Sequence, residues 1–154
     1  MKHTLILAAA ALMSLGASAA FADDHATAAS GDPEAGEALW RGCRSCHSIV
    51  ADDGTVIQRG GRTGPNLYGV AGRQPGTQAD FGRYSELMTS FGETGVVWDE
   101  EHFVEYVANP VDYLMHHGGE GSRRGTMSFR LANGAEDMWA YLVSVGPEGE
   151  GDSE

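Results

Sequence analysis

Lysine is almost missing from this chain. Of 154 residues only Lys2 is a lysine, and the other basic residues are arginines. Ten basic residues face 22 acidic ones, a formal net charge of −12. Such a balance excludes nucleic acid as a partner, because phosphates repel it. Cysteine is also scarce, with two residues, which excludes a multi-bridge disulfide framework and any four-cysteine metal site. No run of alternating apolar and polar residues is long enough to build a sheet. One apolar run stands out, Leu5 to Leu15, and it is shorter than the roughly 20 residues that span a bilayer.

That run follows a basic start, Met1-Lys2-His3, and precedes Ala20-Phe21-Ala22. Basic, apolar and small-x-small segments in this order are the plan of a secretory signal peptide. Residues 1–22 are therefore expected to be removed after Ala22, with Ala17-Ser18-Ala19 as a second possible site. An exported protein follows, bacterial and periplasmic, with no membrane span. Cleavage leaves 132 residues, one domain of ordinary size. It also removes Lys2, so nine arginines face 22 acids, a formal −13.

Both cysteines stand in one motif, Cys43-Arg44-Ser45-Cys46-His47. A C-x-x-C-H run is the attachment signature of a c-type haem. Two thiols can add across the two vinyl groups, and the adjoining imidazole lies under the ring, where it can bind iron. A thioredoxin-like pair would want a preceding β-strand, and no valine- or isoleucine-rich run precedes Cys43. A zinc site would want more soft ligands nearby. Chance remains a third reading for a five-residue motif. A buried macrocycle would also supply core to a chain with only 8% aromatics and 22 glycines.

The remaining pattern is helices joined by long glycine-rich connections. Residues 23–30 read as a flexible tail. Asp32-Pro33 starts a helix, Asp as N-cap and Pro at its first position, and the helix runs into the haem motif. Asp52-Asp53-Gly54 is a turn, and Arg59 to Gly64 a glycine-rich loop. Tyr84 to Met88 suits a short helix. Asp99 caps a helix with apolar face Phe103, Tyr106 and Val107, ended by Asn109-Pro110. His116 to Gly125 reads as flexible. A last helix runs from about Ala135 to Val145 and stops at Gly146-Pro147. Residues 31–146 make the domain, and 147–154 an acidic disordered tail.

The iron's second axial ligand decides what the haem does. An open position binds gases or substrates; a side chain there leaves electron transfer. A Met thioether favours ferrous iron and raises the potential. The mature chain offers Met88, Met115, Met127 and Met138, and His25, His102, His116 and His117. Met138 falls on the last helix, His25 in the tail, and His102 in a solvated first turn. Met127 lies in a loop eighty residues beyond His47, where a chain can wrap the haem's far face. Position alone leaves His116 and His117 as rivals to Met127.

From Gly31 to Val145 the chain resembles the class I cytochromes c, close to the large bacterial cytochrome c2 group. The likeness is carried by Gly36 and Trp40 before the haem motif, Thr63-Gly64-Pro65-Asn66-Leu67-Tyr68-Gly69, Gly72-Arg73, Tyr84 and Trp98. Tyr106-Val107-Ala108-Asn109-Pro110, Met127-Ser128-Phe129 and Trp139-Ala140-Tyr141-Leu142 complete it. It implies an all-α fold, helices and long loops around one covalent haem c. By resemblance, Cys43 and Cys46 form the thioethers, and His47 and Met127 ligate the iron. Pro65 accepts a hydrogen bond from His47. Arg73, Tyr84 and Trp98 hold a buried propionate. Tyr106 stands near the axial sulfur, and Phe129 shields the haem edge. Gly36 and Trp40 pack on Met138 and Tyr141.

Two departures from the family pattern stand out. Thr126 replaces the usual Lys before the ligand, and the stretch from Met115 to Arg124 is long, which leaves His116 and His117 as replacements when Met127 is released. No lysine ring is available for docking; Arg41, Arg44, Arg123 and Arg124 could form an arginine collar instead. The expected function is single-electron shuttling by a soluble monomer, not an enzyme. It would run from a quinol-oxidising membrane complex to a terminal oxidase, reductase or photosynthetic reaction centre, in transient contacts with such complexes or periplasmic oxidoreductases. The alternatives are a haem subunit of a redox enzyme, or a five-coordinate gas-binding or peroxidatic haem.

Overall fold

The computed structural model describes residues 29–147. The expected signal peptide, most of residues 23–30 and nearly all of the acidic tail lie outside the described residues. Ala29 already packs against the core, and the Ser30 backbone N–H donates to the Glu100 carboxylate at 3.0 Å.

Among the described residues five α-helices carry the fold. α1 is Pro33–Leu39, and a 3₁₀ turn, Trp40–Gly42, continues it towards the cysteines. α2 is Glu86–Glu93, α3 Glu100–Ala108, α4 Pro110–His116 and α5 Ala135–Ser144. Three of the starts are capped as short polar side chains cap helices. Asp32 accepts from the Glu34 N–H at 2.9 Å, Ser85 from the Met88 N–H at 3.2 Å, and Asp99 from the His102 N–H at 2.8 Å.

α4 departs from the sequence reading, which used Asn109-Pro110 only as a stop. Pro also suits the first position of a helix, and here it both ends α3 and begins α4. The chain is therefore helical up to His116, and residues 117–134 hold no helix or strand. A second departure is a two-stranded antiparallel hairpin, β1 (Ile49–Val50) with β2 (Val56–Gln58). Its strands are too short for alternation to show. Its turn is the expected Asp52-Asp53-Gly54, with Asp53 accepting from the Thr55 N–H at 2.7 Å.

The first and last helices cross with their backbones in contact. A Cβ placed on Gly36 would lie 2.0 Å from the Asp137 carbonyl oxygen and 2.8 Å from Tyr141 Cβ. No side chain fits there, so the crossing depends on glycine. Trp40, Met138, Tyr141 and Leu142 are buried beside it, with Met138 and Leu142 each 1% exposed. Burying such side chains stabilises a fold by about 1.5–3 kcal/mol each. A second aromatic group, Phe91, Trp98, Tyr106 and Tyr113, joins α2, α3 and α4; ring centroids are 5.0 Å apart for Trp98–Tyr106 and 5.5 Å for Phe91–Tyr113. The segments between these two groups enclose the site.

Candidate haem site

Cys43, Cys46 and His47 stand on one helical turn. The Cys46 and His47 N–H groups both donate to the Cys43 carbonyl, at 3.1 and 3.0 Å. All three side chains therefore face a single cavity of about 330 Å³. Burial pushes the Cys43 thiol up to about 11, with Cys46 adding to the shift. Thr63 and Ser45 hydrogen bonds pull the exposed Cys46 thiol down.

His47 is fixed from two sides. Its Nδ1 lies 2.8 Å from the Pro65 carbonyl oxygen. A carbonyl only accepts, so Nδ1 carries the proton and Nε2 keeps a lone pair for a metal. Burial lowers the pKa of the ring, and the Pro65 bond works against that shift. Gly64 closes the other side. A Cβ there would stand 2.4 Å from His47 Cε1 and 2.7 Å from Nδ1. The glycine-rich loop is thus a cradle for the imidazole.

Met127 and Phe129 reach the same cavity from the irregular 117–134 segment. Met127 is half-buried against the core, and Phe129, 42% exposed, lies over Gly42. Thr126 lines the cavity too, and its Oγ1 is buried with no protein partner. Met88 and Met138 also line it, from α2 and α5, whereas Met115 does not and is 46% exposed.

Among the described residues His47 is the one histidine that lines the cavity. His117 stacks on Tyr113 at 4.1 Å and sits 3.5 Å from the Glu105 carboxylate. His116 is 3.6 Å from Asp112. His102, expected in solvent, is half-buried with Nδ1 2.5 Å from the Tyr113 hydroxyl. α4 explains all three: it carries Tyr113 to α3 and draws the histidines to that side. His25 lies outside the described residues.

Arg73, Tyr84, Trp98 and Tyr106 all line the cavity. Arg73 is more committed than the sequence suggests. It donates to the Tyr68 and Asn66 carbonyls at 3.0 Å each, and to Gln78 Oε1. Burial lowers its pKa, and Tyr84 raises it. The Tyr84 hydroxyl accepts from the Gln78 N–H at 3.2 Å, so its own proton is left to donate. Burial raises the pKa of both Tyr84 and Tyr106. Sequence reasoning passed over Arg83, Ser85 and Phe81 as cavity residues. Phe81 meets Tyr84 edge-on at 4.9 Å, and Arg83 lies over the Phe81 ring. Phe81 and Arg83 fall on irregular chain with no periodic signal, and Ser85 is the N-cap of α2.

These residues fit a haem. The cavity is largely apolar, its polar donors cluster at Arg73, Tyr84 and Trp98, and it holds a metal-ready imidazole. Among the described residues no three His, Cys, Asp or Glu gather to hold a bare ion. Iron brought in a macrocycle needs only axial donors from the chain.

No family model matches the chain. It is 50% identical over 134 residues to cytochrome c2 of Cereibacter sphaeroides, covering 85% of this chain and 92% of the relative. The chain belongs to the cytochrome c2 family. It is likewise 51% identical over 117 residues to cytochrome c-551 of Roseobacter denitrificans, covering 76% of this chain and 83% of that one. Solved structures agree. Cytochrome c2 from Rhodobacter sphaeroides matches with a TM-score of 0.70 at 50% identity, over 75% of this chain and 97% of the other. Ferric cytochrome c-550 from Paracoccus versutus matches with a TM-score of 0.71 at 36% identity, over 76% and 99%. The fold is that of a class I cytochrome c, and the cofactor is one covalently bound haem c. The chain is an electron-transfer cytochrome.

Proposed function

We propose that this protein is a soluble periplasmic carrier whose iron sits between His47 and Met127, with Cys43 and Cys46 as the thioether anchors. When bound, the haem supplies a one-electron ferric–ferrous couple. The observation that carries the reading is the set of donors on one cavity. His47, its Nδ1 tied to Pro65 at 2.8 Å, and Met127, on an irregular segment, share it with no second histidine among the described residues. The competing thioethers, Met88 and Met138, are helix residues only 8% and 1% exposed and belong to the core.

Each remaining residue has a task its chemistry suits. Pro65 orients His47 and strengthens it as a donor. Tyr84 and Trp98, with the donors of Arg73 not spent on carbonyls, stabilise a buried carboxylate. Tyr106 stands by the axial sulfur, and Phe129 covers the edge where electrons leave. A filled sixth position makes electron passage, rather than gas or peroxide chemistry, the use of the iron. The donor would be a quinol-oxidising membrane complex and the acceptor a terminal oxidase, reductase or reaction centre. The protein works as a monomer, and among the described residues no helix is long and apolar enough to cross a membrane. Arg41, Arg44, Arg123 and Arg124 are all exposed and form the docking collar on an acidic body.

Optical spectra of the oxidised protein test the ligation. Met127→Ala should abolish the thioether–iron charge-transfer band, lower the potential sharply and open the reduced iron to carbon monoxide. An unchanged band would overturn Met127. Electron-transfer rates with an acidic partner should fall as salt is added; flat or rising rates would overturn the collar.

A further inference from the structure

Tyr113 is a buried phenol that haem binding leaves unused. It stands on α4, is 5% exposed and does not line the haem cavity. Its hydroxyl lies 2.5 Å from His102 Nδ1. A phenol is a better acid than an imidazole N–H, and a neutral imidazole nitrogen is a better base than a phenol oxygen. The hydroxyl therefore donates, and Nδ1 stands ready to take its proton. The hydroxyls of Tyr84 and Tyr141 differ. They accept from the Gln78 N–H at 3.2 Å and from Gln58 Nε2 at 2.7 Å, and an amide donor takes no proton.

Aromatic rings join this pair to the cavity. Trp98 and Tyr106 line the cavity, with centroids 5.0 Å apart, and Tyr106 lies 6.0 Å from Tyr113. Phe91 makes a second link, 6.0 Å from Trp98 and 5.5 Å from Tyr113. Such spacings put rings in contact, so an electron leaving Tyr113 meets no gap on its way to the cavity. On the outer side His117 stacks on Tyr113 at 4.1 Å and covers it. Burial, with Glu105, Asp99 and Glu101, raises the pKa of Tyr113. These carboxylates oppose a phenolate and favour an imidazolium. Loss of the proton alone is hindered. Loss of an electron and a proton together leaves a neutral ring beside a cation among carboxylates.

We propose that Tyr113 is a redox-active tyrosine that gives an electron towards the haem cavity and its proton to His102, guarding the covalent haem against hydrogen peroxide. Peroxide needs two electrons and two protons to break its O–O bond and become two waters. One electron comes from ferrous iron, which becomes ferric, and the second from Tyr113. Both protons come from solvent, and the phenolic proton rests on His102 Nδ1. A neutral tyrosyl radical and an imidazolium remain. An electron carrier is reloaded by its donor, so the next electron restores the phenol and the proton returns from His102. This is protection rather than peroxide turnover. It goes beyond carrying electrons between partners, and it does not depend on which side chain fills the sixth position.

The test is freeze-quench electron paramagnetic resonance on the ferrous holoprotein mixed with excess hydrogen peroxide. A tyrosyl signal should appear, and it should narrow when the tyrosines carry ring deuterium. Tyr113→Phe keeps the ring and its neighbours; it should lose the signal, and its haem should bleach with less peroxide. His102→Gln should lose most of the signal, because glutamine takes no proton. Tyr141→Phe should behave as the parent does. An unchanged haem spectrum before peroxide is added shows that each variant folds. A parent with no tyrosyl signal would overturn the proposal. So would a signal of full intensity in Tyr113→Phe or in His102→Gln. None of these results bears on Met127, which is read by its charge-transfer band.

Discussion

The cavity is enclosed by two chain segments built in opposite ways. Residues 43–67 are laced to themselves. The Gly61 N–H donates to the Arg44 carbonyl at 2.8 Å, Gly64 to Cys46 at 2.8 Å, and Leu67 to Ser48 at 3.0 Å. His47 is held between Pro65 and Gly64 within that lacing. Residues 117–134 are held more loosely. Their anchors gather at the start, where Gly119 N–H donates to the Leu114 carbonyl at 2.6 Å, Glu120 N–H to Ser90 Oγ at 2.6 Å and Ser122 N–H to the Glu86 carboxylate at 2.7 Å; beyond them come a turn at Thr126 with a 3.2 Å bond and Leu131 N–H to the Val107 carbonyl at 2.9 Å. Most of their side chains are exposed. A segment with few buried contacts opens at lower free energy than one that is packed and bonded. One side of the site is therefore rigid, and the side carrying Met127 is the side able to let go.

The largest way to break this contrast is on the rigid side. Gly64→Ala drives a methyl to within 2.4 Å of the His47 ring. Backbone and ring cannot both stay, so the holoprotein should fail to accumulate, or lose about 3 kcal/mol or more of stability by denaturant titration. An alanine tolerated at 64 would show that the cradle is soft. Next comes the contact that joins the framework around both segments. Leu142→Ala, at a side chain 1% exposed, should cost about 2–5 kcal/mol in thermal or denaturant unfolding, without moving the charge-transfer band.

A smaller effect probes the loose side directly. Glu86→Gln weakens the anchor on Ser122 and should cost about 1 kcal/mol. Its signature is local: hydrogen exchange should speed up in 117–131 and not in 43–67, and the Met–iron band should be lost at a lower pH than in the parent. Equal acceleration in both segments would remove the contrast. The smallest effect concerns four tyrosines, of which Tyr84 and Tyr106 line the cavity between the two segments. Burial raises the pKa of Tyr84, Tyr106, Tyr113 and Tyr141. The folded state thus favours the protonated phenol. Stability from these groups is complete below the unfolded-state value of about 10 and is lost as pH rises from there through the higher folded-state values. Phenolate absorbance should appear late, together with unfolding; a normal titration in the folded protein would refute the burial.

Local signals were legible in the sequence where the physics is local. Asp32, Asp99 and Pro33 announced their helices because capping involves residues two or three apart. The attachment motif was legible for the same reason: two thiols and an imidazole act within one turn. α4 was missed because Pro110 carries a stop signal and a start signal at once. The hairpin was missed because strands of two and three residues have no period. His102 was read as solvated because nothing near it in sequence names Tyr113, eleven residues on, as its partner.

The sequence by itself determined that both cysteines and His47 act in one turn, that helices cap at Asp32 and Asp99, and that the chain has almost no lysine to present. Those properties reside in residue identity and short spacing. Only the tertiary structure decided which methionines and histidines share the cavity. It drew His102, His116 and His117 to the α4 side, and brought Met127 to the same space as His47 across eighty residues. Long-range approach depends on how helices cross and which glycines let them, and at Gly36 and Gly64 a single methyl would forbid it.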